Sequence, residues 1–282
     1  MNEAILINLS DYELSGAGNL GESYVHKSHP DILLKLYSPQ MEQAGIEEYR
    51  RACKVYNLGI SCPEPGKLVR TAEGQMGIQF RLIAGKKSYS RALSEHPERL
   101  EEYAANFAVE CKKLHSIRPE PGMFPTVKEQ YSKSLHLDPY LSDEEKNGLD
   151  RYLDSLPDAD TALHGDLHYG NIIFTPDGRQ YFIDLGDFCT GSPLFDLGIV
   201  YRQSCRMPED FIKRVYHIDM ATAQAFWRVF VAQYFGPDVP LKEVETLLEP
   251  YNILRALVLE HVTGKPHMQL RTAVHQMIGS VR

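Results

Sequence analysis

The spacing of apolar residues changes once along this 282-residue chain, near Gly85, from a two-residue period to a helical one. Before that point, apolar stretches such as AILINL, DILLKLY and MGIQFRLI alternate with turn signals, a pattern typical of β-strands. After it, apolar residues recur every three or four positions, which predicts helices. We therefore expect an α+β protein with a small strand-rich part, residues 1–84, and a larger helical part, residues 85–282.

Helices are expected in both parts. Residues 40–58 predict one helix among the strands, with an apolar stripe at Ile46, Tyr49, Cys53 and Tyr56. The apolar stripes of the second part lie at residues 100–114, at 223–234 after a capping Asp219, at 244–262 and at 271–278. One helix in a small antiparallel sheet, followed by a helical bundle, is the predicted architecture.

A β-hairpin is predicted inside the helical part. The segment NIIFTPDGRQYFIDLGD contains two apolar stretches around a Thr-Pro-Asp-Gly turn at residues 175–178. If Phe174 lies opposite Arg179, the same register places Asn171 opposite Phe182. Asp184 then becomes a diagonal neighbour of Asn171 on the same face.

Composition excludes several classes of protein. A net charge of -8 argues against a general nucleic-acid binder, because phosphate backbones need basic surfaces. No stretch approaches the roughly 18 apolar residues of a membrane span, and the amino terminus does not resemble a signal peptide. Five widely spaced cysteines indicate neither a disulfide framework nor a zinc site. We expect a cytoplasmic protein without a membrane or nucleic-acid partner.

The segment HGDLHYGN, residues 164–171, carries the polar residues with the clearest chemistry. Asn171 and Asp184 supply hard oxygen ligands of the kind that magnesium prefers, with phosphate and water completing its shell. An aspartate that does not bind the metal, Asp166, could accept a proton from a substrate hydroxyl or orient it for attack on phosphorus.

These residues resemble a known family. His164-x-Asp166-x-x-x-x-Asn171, followed by Ile-Asp-Leu-Gly at 183–186, is similar to the catalytic loop and metal-binding aspartate of aminoglycoside phosphotransferases and related small-molecule kinases. The resemblance implies the bilobal protein-kinase-like fold, with ATP or GTP as donor and magnesium as cofactor. It also implies that Asp196 braces the catalytic loop and that His164 is structural.

Only eleven residues separate Asp184 from Asp196, which leaves no room for the segment that protein kinases use to hold a peptide. A small molecule with a hydroxyl group is therefore the expected acceptor. Residues 157–196 contain seven aspartates and one basic residue, Arg179, which suggests an acidic site and a polar or cationic, amine-bearing acceptor. Asp187 is a candidate for a substrate or second-metal role, and His168 is left without an assigned role.

The first part offers the other elements of such a site. A G-x-G-x-x-G pattern lies between predicted strands and could cover phosphates, with its glycines at Gly16, Gly18 and Gly21. Lys35, on a predicted strand, is expected to pair with Glu48 of the helix, because an unpaired buried lysine is costly. The backbone from Arg81 to Ile83 is the expected adenine contact.

Two alternatives stay open at this point. A kinase-like fold could bind a nucleotide without turnover, although retention of Lys35, Asp166, Asn171 and Asp184 together argues against this. A metal-dependent hydrolase is the second alternative, since His164, Asp166 and His168 alternate and could share one face of a strand. No third histidine or cysteine occurs at a recognisable spacing, which weakens this hypothesis.

Overall fold

The computed structural model of the protein describes residues 4–18, 21–266 and 268–281. The chain divides into two compact units. The first comprises the described residues up to Ser88 together with Asn171–Asp187, and the second comprises Tyr89–Gly170 and the described residues from Phe188 onward. The hairpin segment thus belongs to the first unit, although it follows Gly170 directly in the chain. The predicted boundary between residues 84 and 85 stays a prediction.

A six-stranded sheet forms the base of the first unit. Its strands are β1 (Ile5–Ile7), β2 (Tyr12–Gly18), β3 (Gly21–His26), β4 (Ile32–Tyr37), β5 (Pro65–Thr71) and β6 (Met76–Arg81). They lie in the order β1-β5-β6-β4-β3-β2 and pair antiparallel, except that β1 is parallel to β5. Successive residues of a strand face opposite sides, so Leu34 enters an apolar cluster on one face and Tyr37 a cluster on the other.

Helix α1 (Glu42–Asn57) covers the sheet face that carries Tyr37. Its fully buried positions are Gly45, Glu48, Ala52 and Val55. The stripe predicted from the sequence lies to one side of this face, and its last member, Tyr56, is 42% exposed. Ile46 and Tyr49 of that stripe pack, partly buried, against the Tyr37 cluster, so the prediction is correct in part, and the most buried positions lie one residue earlier. A Cβ atom at Gly45 would collide with Met76, so the helix can pack this closely only with glycine there. Glycine does not register as apolar in the sequence pattern, and the pattern therefore did not indicate this face.

The hairpin contains β9 (Ile172–Phe174) and β10 (Gln180–Phe182), and β7 (Lys87–Ser88) pairs with β9. The turn closes as predicted, because Gly178 N donates to Thr175 O at 2.8 Å. The predicted register was wrong by one residue: Phe174 pairs with Gln180, not Arg179, and Phe182 pairs with Ile172, not Asn171. Gly178 has a φ of +83° and adds one bulged residue to the turn, which moves every later pair.

Helices make up most of the second unit. They are α2 (Tyr89–Glu95), α3 (Leu100–His115), α4 (Val127–Leu137), α5 (Asp143–Ser155), α6 (Leu194–Tyr201), α7 (Glu209–Tyr216), α8 (Met220–Phe235), α9 (Leu241–Thr263) and α10 (Arg271–Gly279). A short π-helix, Arg202–Arg206, continues α6. The four helices predicted for this part are confirmed, and Asp219 caps α8 by accepting from Thr222 N at 2.7 Å. Among the described residues, no helix has the length and apolar character needed to cross a bilayer.

Aromatic packing and a two-stranded sheet position the segment HGDLHYGN. Phe107 of α3 contacts Phe226 and Phe230 of α8, with ring centroids 5.5 and 5.9 Å apart. Strand β8 (Thr161–Leu163) pairs antiparallel with β11 (Cys189–Gly191). The loop of residues 164–170 therefore begins directly at the end of a strand fixed in the core.

Candidate active site

A lysine and a glutamate of the first unit form a buried ion pair. Lys35 Nζ donates to the two carboxylate oxygens of Glu48 at 2.7 and 2.9 Å, and Glu48 is only 3% exposed. Tyr37 Oη donates to the same carboxylate at 2.7 Å. Burial disfavours the charged lysine, but Asp184 and Glu48 outweigh it and hold the pKa of Lys35 above its usual value. The predicted pairing of Lys35 with Glu48 is confirmed.

Asp184 gives Lys35 a second carboxylate. Its Oδ1 accepts from Lys35 Nζ at 2.7 Å, and its side chain is 51% exposed. The backbone of Asp184 is left-handed, with a φ of +57°, a conformation that aspartate and asparagine tolerate better than most residues. Such strain is concentrated at functional positions.

Asn171 and Asp184 lie at the end of the hairpin opposite its turn. Ile183 N donates to Asn171 O at 3.0 Å, and Asn171 is 5% exposed. The corrected register keeps both residues at this end, but Asn171 is no longer opposite Phe182, so the predicted shared face with Asp184 does not follow from the pairing. Carboxylate and carboxamide oxygens suit magnesium, which takes its remaining ligands from water and phosphate. The chemistry of this pair therefore fits the ion that the sequence predicts.

The glycine pattern spans a hairpin. Gly16 and Gly18 lie in β2 and Gly21 begins β3, with Gly18 paired to Gly21; residues 19 and 20 lie outside the described part. Gly21 has a φ of +155°, and a Cβ atom there would collide with the Leu36 carbonyl of β4. A Cβ atom at Gly16 would meet no atom of the described residues within 4 Å. Close strand approach thus requires glycine at position 21, and phosphate contact by the three glycines stays a prediction.

Two backbone N–H groups at the end of β6 already form hydrogen bonds within the first unit. Arg81 N donates to Glu64 O at 2.9 Å, and Leu82 N donates to Asp31 O at 2.7 Å. The N–H of Ile83 is therefore the next donor along the chain that could pair with adenine. The predicted contact of Arg81 and Ile83 with the base stays a prediction.

Asp196 of α6 anchors the start of the loop in the second unit. It is fully buried and accepts from His164 N at 2.7 Å and from Gly165 N at 2.9 Å. His115 Nε2 lies 3.2 Å from the same carboxylate, and its Nδ1 lies 2.8 Å from Tyr234 Oη. The bracing predicted for Asp196 is present, and His115 extends it into α8.

An arginine that the sequence pattern did not indicate holds Asp166. Arg255 Nη2 donates to Asp166 Oδ1 at 2.8 Å, and the two side chains are 8% and 33% exposed. His168 Nε2 lies 3.6 Å from Asp166 Oδ2, too far for a hydrogen bond but close enough for electrostatic attraction. Burial raises the pKa of Asp166, but Arg255 and His168 outweigh it and hold this pKa well below its usual range. The carboxylate is therefore ionised at neutral pH.

The two histidines of the loop are tied to its backbone. His164 Nδ1 accepts from Asp166 N at 3.3 Å, and His168 Nδ1 accepts from Gly170 N at 3.0 Å. Each ring thus uses one nitrogen to shape the loop, and His168 also contacts the Tyr216 ring. In the part of the chain that the structure describes, no group of three or more His, Cys, Asp or Glu side chains could hold a metal ion.

Most aspartates of residues 157–196 have a cationic partner, although Asp184 shares Lys35 with Glu48. Five of the seven pair with a cation, and these pairs are Asp158 with Lys128, Asp160 with Arg118, Asp166 with Arg255, Asp177 with Arg179 and Asp184 with Lys35. Asp196 is satisfied by backbone donors, and Asp187 is exposed in a 3-10 turn, Leu185–Asp187. The count of charges in sequence therefore overstates the negative charge of the site, and the role of Asp187 stays a prediction.

Sequence reasoning missed Arg255, Tyr37 and His115. Arg255 interrupts the apolar run NILRALVL of α9, and a charge among buried positions is the signal that could have indicated it. Tyr37 shares a strand face with Lys35, and that spacing could have suggested a common partner. His115 follows the stripe of α3 with no comparable signal.

A comparison with protein families places most of the chain in a known family. The model described as phosphotransferase enzyme family matches residues 14–228, more than half of the chain. The chain belongs to this family. The match spans Lys35, Glu48, Asp166 and Asp184, so the motifs that suggested the resemblance lie within it. No curated protein matches the chain.

Solved structures of the phosphotransferase family share the fold. An aminoglycoside-3'-phosphotransferase of type VIII is 18% identical, with 86% of this chain and 94% of that chain covered and a TM-score of 0.57. Choline kinase LicA from Streptococcus pneumoniae is 15% identical, with 95% and 94% covered and a TM-score of 0.54. The streptomycin and ADP complex of APH(3'')-Id from Streptomyces rimosus is 19% identical, with 86% and 93% covered and a TM-score of 0.53. The predicted α+β, protein-kinase-like fold is confirmed.

Proposed function

We propose that the protein transfers the γ-phosphoryl group of ATP, with GTP as the alternative donor, to a hydroxyl group of a small molecule. The observation that supports this most directly is the position of Lys35, whose ammonium is held by Glu48 and Asp184. A fixed ammonium is suited to bind phosphate oxygens. Solved relatives support the donor, since LicA was crystallised with AMP and APH(2'')-Ib with ADP.

Asn171 and Asp184 are the residues that would hold magnesium. An ion bound there supplies positive charge that neutralises phosphate oxygens. Half of the Asp184 side chain is exposed, so its carboxylate is within reach of a ligand. Lys35 keeps its bonds to Glu48 when Asp184 changes partner, and its ammonium stays in place for a phosphate group.

Asp166 would act on the acceptor hydroxyl. The hydroxyl oxygen forms a bond to the γ-phosphorus, while the bond from phosphorus to the β,γ-bridging oxygen breaks and the nucleoside diphosphate leaves with that electron pair. The hydroxyl proton passes to the Asp166 carboxylate. Because Arg255 lowers the pKa of Asp166, this carboxylate is a weak base, and its main contribution is to orient the hydroxyl.

The test compares Asp166→Asn with Asp160→Asn, an exposed aspartate of the same unit. ATP consumption is followed with a panel of hydroxyl compounds, and nucleotide affinity is measured by calorimetry with and without magnesium. We expect Asp166→Asn to lower kcat by about 10²–10⁴-fold with nucleotide affinity unchanged. Asp160→Asn should behave as the wild-type protein does.

Each alternative function has its own outcome in this test. Absence of magnesium-dependent nucleotide binding, or full turnover by Asp166→Asn, contradicts the proposal. Nucleotide binding without transfer to any panel member favours a non-catalytic nucleotide-binding module. Stoichiometric zinc in the purified protein favours the metal-dependent hydrolase.

The cytoplasm is the proposed location. Use of ATP as donor fits that compartment, and the five free cysteines, two of them half-buried and three buried, fit a reducing one. The proposed partner is a small hydroxyl-bearing molecule, with no role for nucleic acid.

A further inference from the structure

A buried arginine in the second unit has no carboxylate partner. Arg202 begins the π-helix Arg202–Arg206 and is 7% exposed. Its Nη1 donates to Asn252 Oδ1 at 3.0 Å, whereas its Nε is buried and has no hydrogen-bond partner among the described residues. Within the described part of the chain, Arg202 forms no salt bridge with aspartate or glutamate.

This arrangement is costly unless a ligand completes it. A buried charge needs a counter-charge and hydrogen bonds to offset its lost hydration, and a neutral carboxamide supplies only part of this. Burial and, next, the nearby Arg255 lower the pKa of Arg202 to about 10, and the Glu249 carboxylate, which forms no salt bridge with Arg202, only partly offsets this. Arg206 of the same π-helix differs, since it is 45% exposed and donates twice to Glu249, at 2.9 and 2.8 Å.

The Asn252 that binds Arg202 lies on the same helix as the Arg255 that binds the proposed catalytic carboxylate. Asn252 and Arg255 are three residues apart on α9 and therefore share one face of that helix. Asn252 binds Arg202, and Arg255 binds Asp166. Arg202 and Asp166 are thus held by side chains about one helical turn, or ~5 Å, apart along the same helix.

We propose that the phosphoryl acceptor carries an acidic group, a carboxylate or a phosphate, and that Arg202 binds this group while Asp166 meets the hydroxyl. The proposal rests on the proposed function and names the acceptor class for that site. An anionic oxygen would satisfy Nε and balance the buried charge. One small acceptor could meet both groups, since their partners Asn252 and Arg255 are neighbours on α9. Because most aspartates of residues 157–196 have a cationic partner, their number alone does not require a cationic acceptor.

Matched acceptors test the charge preference. One set contains glycerate, glycerol 3-phosphate, glycerol and serinol, and the other contains glucuronate, glucose and glucosamine. ADP formation with magnesium and ATP gives kcat/KM for each compound, and calorimetry gives its affinity. We expect acidic members to exceed the neutral and amine members of their set by at least about tenfold. The comparison of glycerate with glycerol 3-phosphate distinguishes a carboxylate from a phosphate.

Variants assign the preference to one residue. Arg202→Gln should raise KM for the preferred acid by about 10–100-fold and lower the ratio of kcat/KM for the acid to that for its neutral analogue. Arg202→Lys keeps the charge and should retain part of the preference. Arg206→Gln is the matched control and should leave the preference intact. Thermal unfolding shows whether each variant folds. If Arg202→Gln does not fold, Arg202→Lys provides the test.

Several results would overturn this inference. These are preference for glycerol, serinol, glucose or glucosamine, an equal loss in Arg206→Gln, an unchanged preference in Arg202→Lys and Arg202→Gln, or no binding of any acidic compound by a protein that binds magnesium and ATP. The last result leaves the proposed function standing. Failure of the wild-type protein to bind the nucleotide at all would instead contradict the proposed function.

Discussion

Arg255 and Asp166, 89 residues apart in the chain, are joined by a hydrogen bond of 2.8 Å between guanidinium and carboxylate. The bond ties α9 to the loop of residues 164–170. The charge state of the proposed catalytic residue therefore depends on a helix far along the sequence.

Substitution of Arg255 should change the pH dependence of the reaction. The pKa of Asp166 is depressed, so the pair stabilises the fold above the unfolded-state pKa of about 3.9, and that stabilisation is lost as pH falls through the lower folded pKa. In Arg255→Met the burial remains without its main compensation, so this pKa should rise. We expect the acid limb of the kcat/KM profile to move to higher pH. An acid limb that does not move would contradict the proposed coupling.

Loss of the Tyr37 hydroxyl should destabilise the first unit. Tyr37 is 1% exposed and donates to the buried Glu48 carboxylate at 2.7 Å. Because hydrogen bonds to buried charges are strong, Tyr37→Phe should lower the free energy of unfolding by about 1.5–3 kcal/mol in urea titrations. The control is Tyr49→Phe, whose hydroxyl donates to Gly66 O at the surface, with an expected change within about 0.5 kcal/mol. Equal effects of the two substitutions would refute this ranking.

Glycines of the same sequence pattern should differ sharply in their tolerance of alanine. Gly21→Ala forces a methyl group against the Leu36 carbonyl in an unfavourable backbone region and should cost about 1–3 kcal/mol of unfolding free energy. In Gly16→Ala the new methyl group meets no atom of the described residues within 4 Å, and this free energy should change by less than about 1 kcal/mol. Thermal and urea unfolding measure both. If Gly16→Ala weakens nucleotide binding without loss of stability, the phosphate-covering role is supported.

The cysteines should be unreactive in the folded protein. Burial raises the pKa of Cys62 to about 12 and that of Cys205 to about 12, and fully buried Cys111 has a pKa well above its usual value. At a pH of about 8 these thiols should therefore react slowly with iodoacetamide. All five cysteines should be labelled at once in urea without a reductant. Fewer than five labelled sites would reveal a disulfide.

Local pattern predicted much of the fold and only part of the site. The helices of residues 100–114 and 244–262 were predicted because their apolar residues recur with a strong helical period. The pair of Lys35 and Glu48 was predicted because strand alternation orients Lys35 and the helical period orients Glu48. The hairpin register failed because one left-handed glycine, Gly178, adds a residue to the turn. Arg255 was missed because its partner is distant in sequence, where periodicity carries no information.

The proposed role of Arg202 also depends on partners that are distant in sequence. The count of aspartates suggested a cationic acceptor, because sequence counts charges without their partners. Five of those aspartates have a cationic partner, whereas the buried Arg202 forms no salt bridge among the described residues. The net charge of a binding site depends on which charged side chains are paired, and the amino-acid composition does not show this.

The left-handed backbone of Asp184 limits which replacements can evolve at that position. Any new residue must first adopt a φ near +57°, and glycine and asparagine do so at lower cost than most residues. Of these two, asparagine alone keeps an oxygen while removing the charge that binds Lys35. A related protein that has lost catalysis is therefore expected to carry asparagine or glycine at the position of residue 184. The residue at this position would distinguish such proteins when related chains are compared.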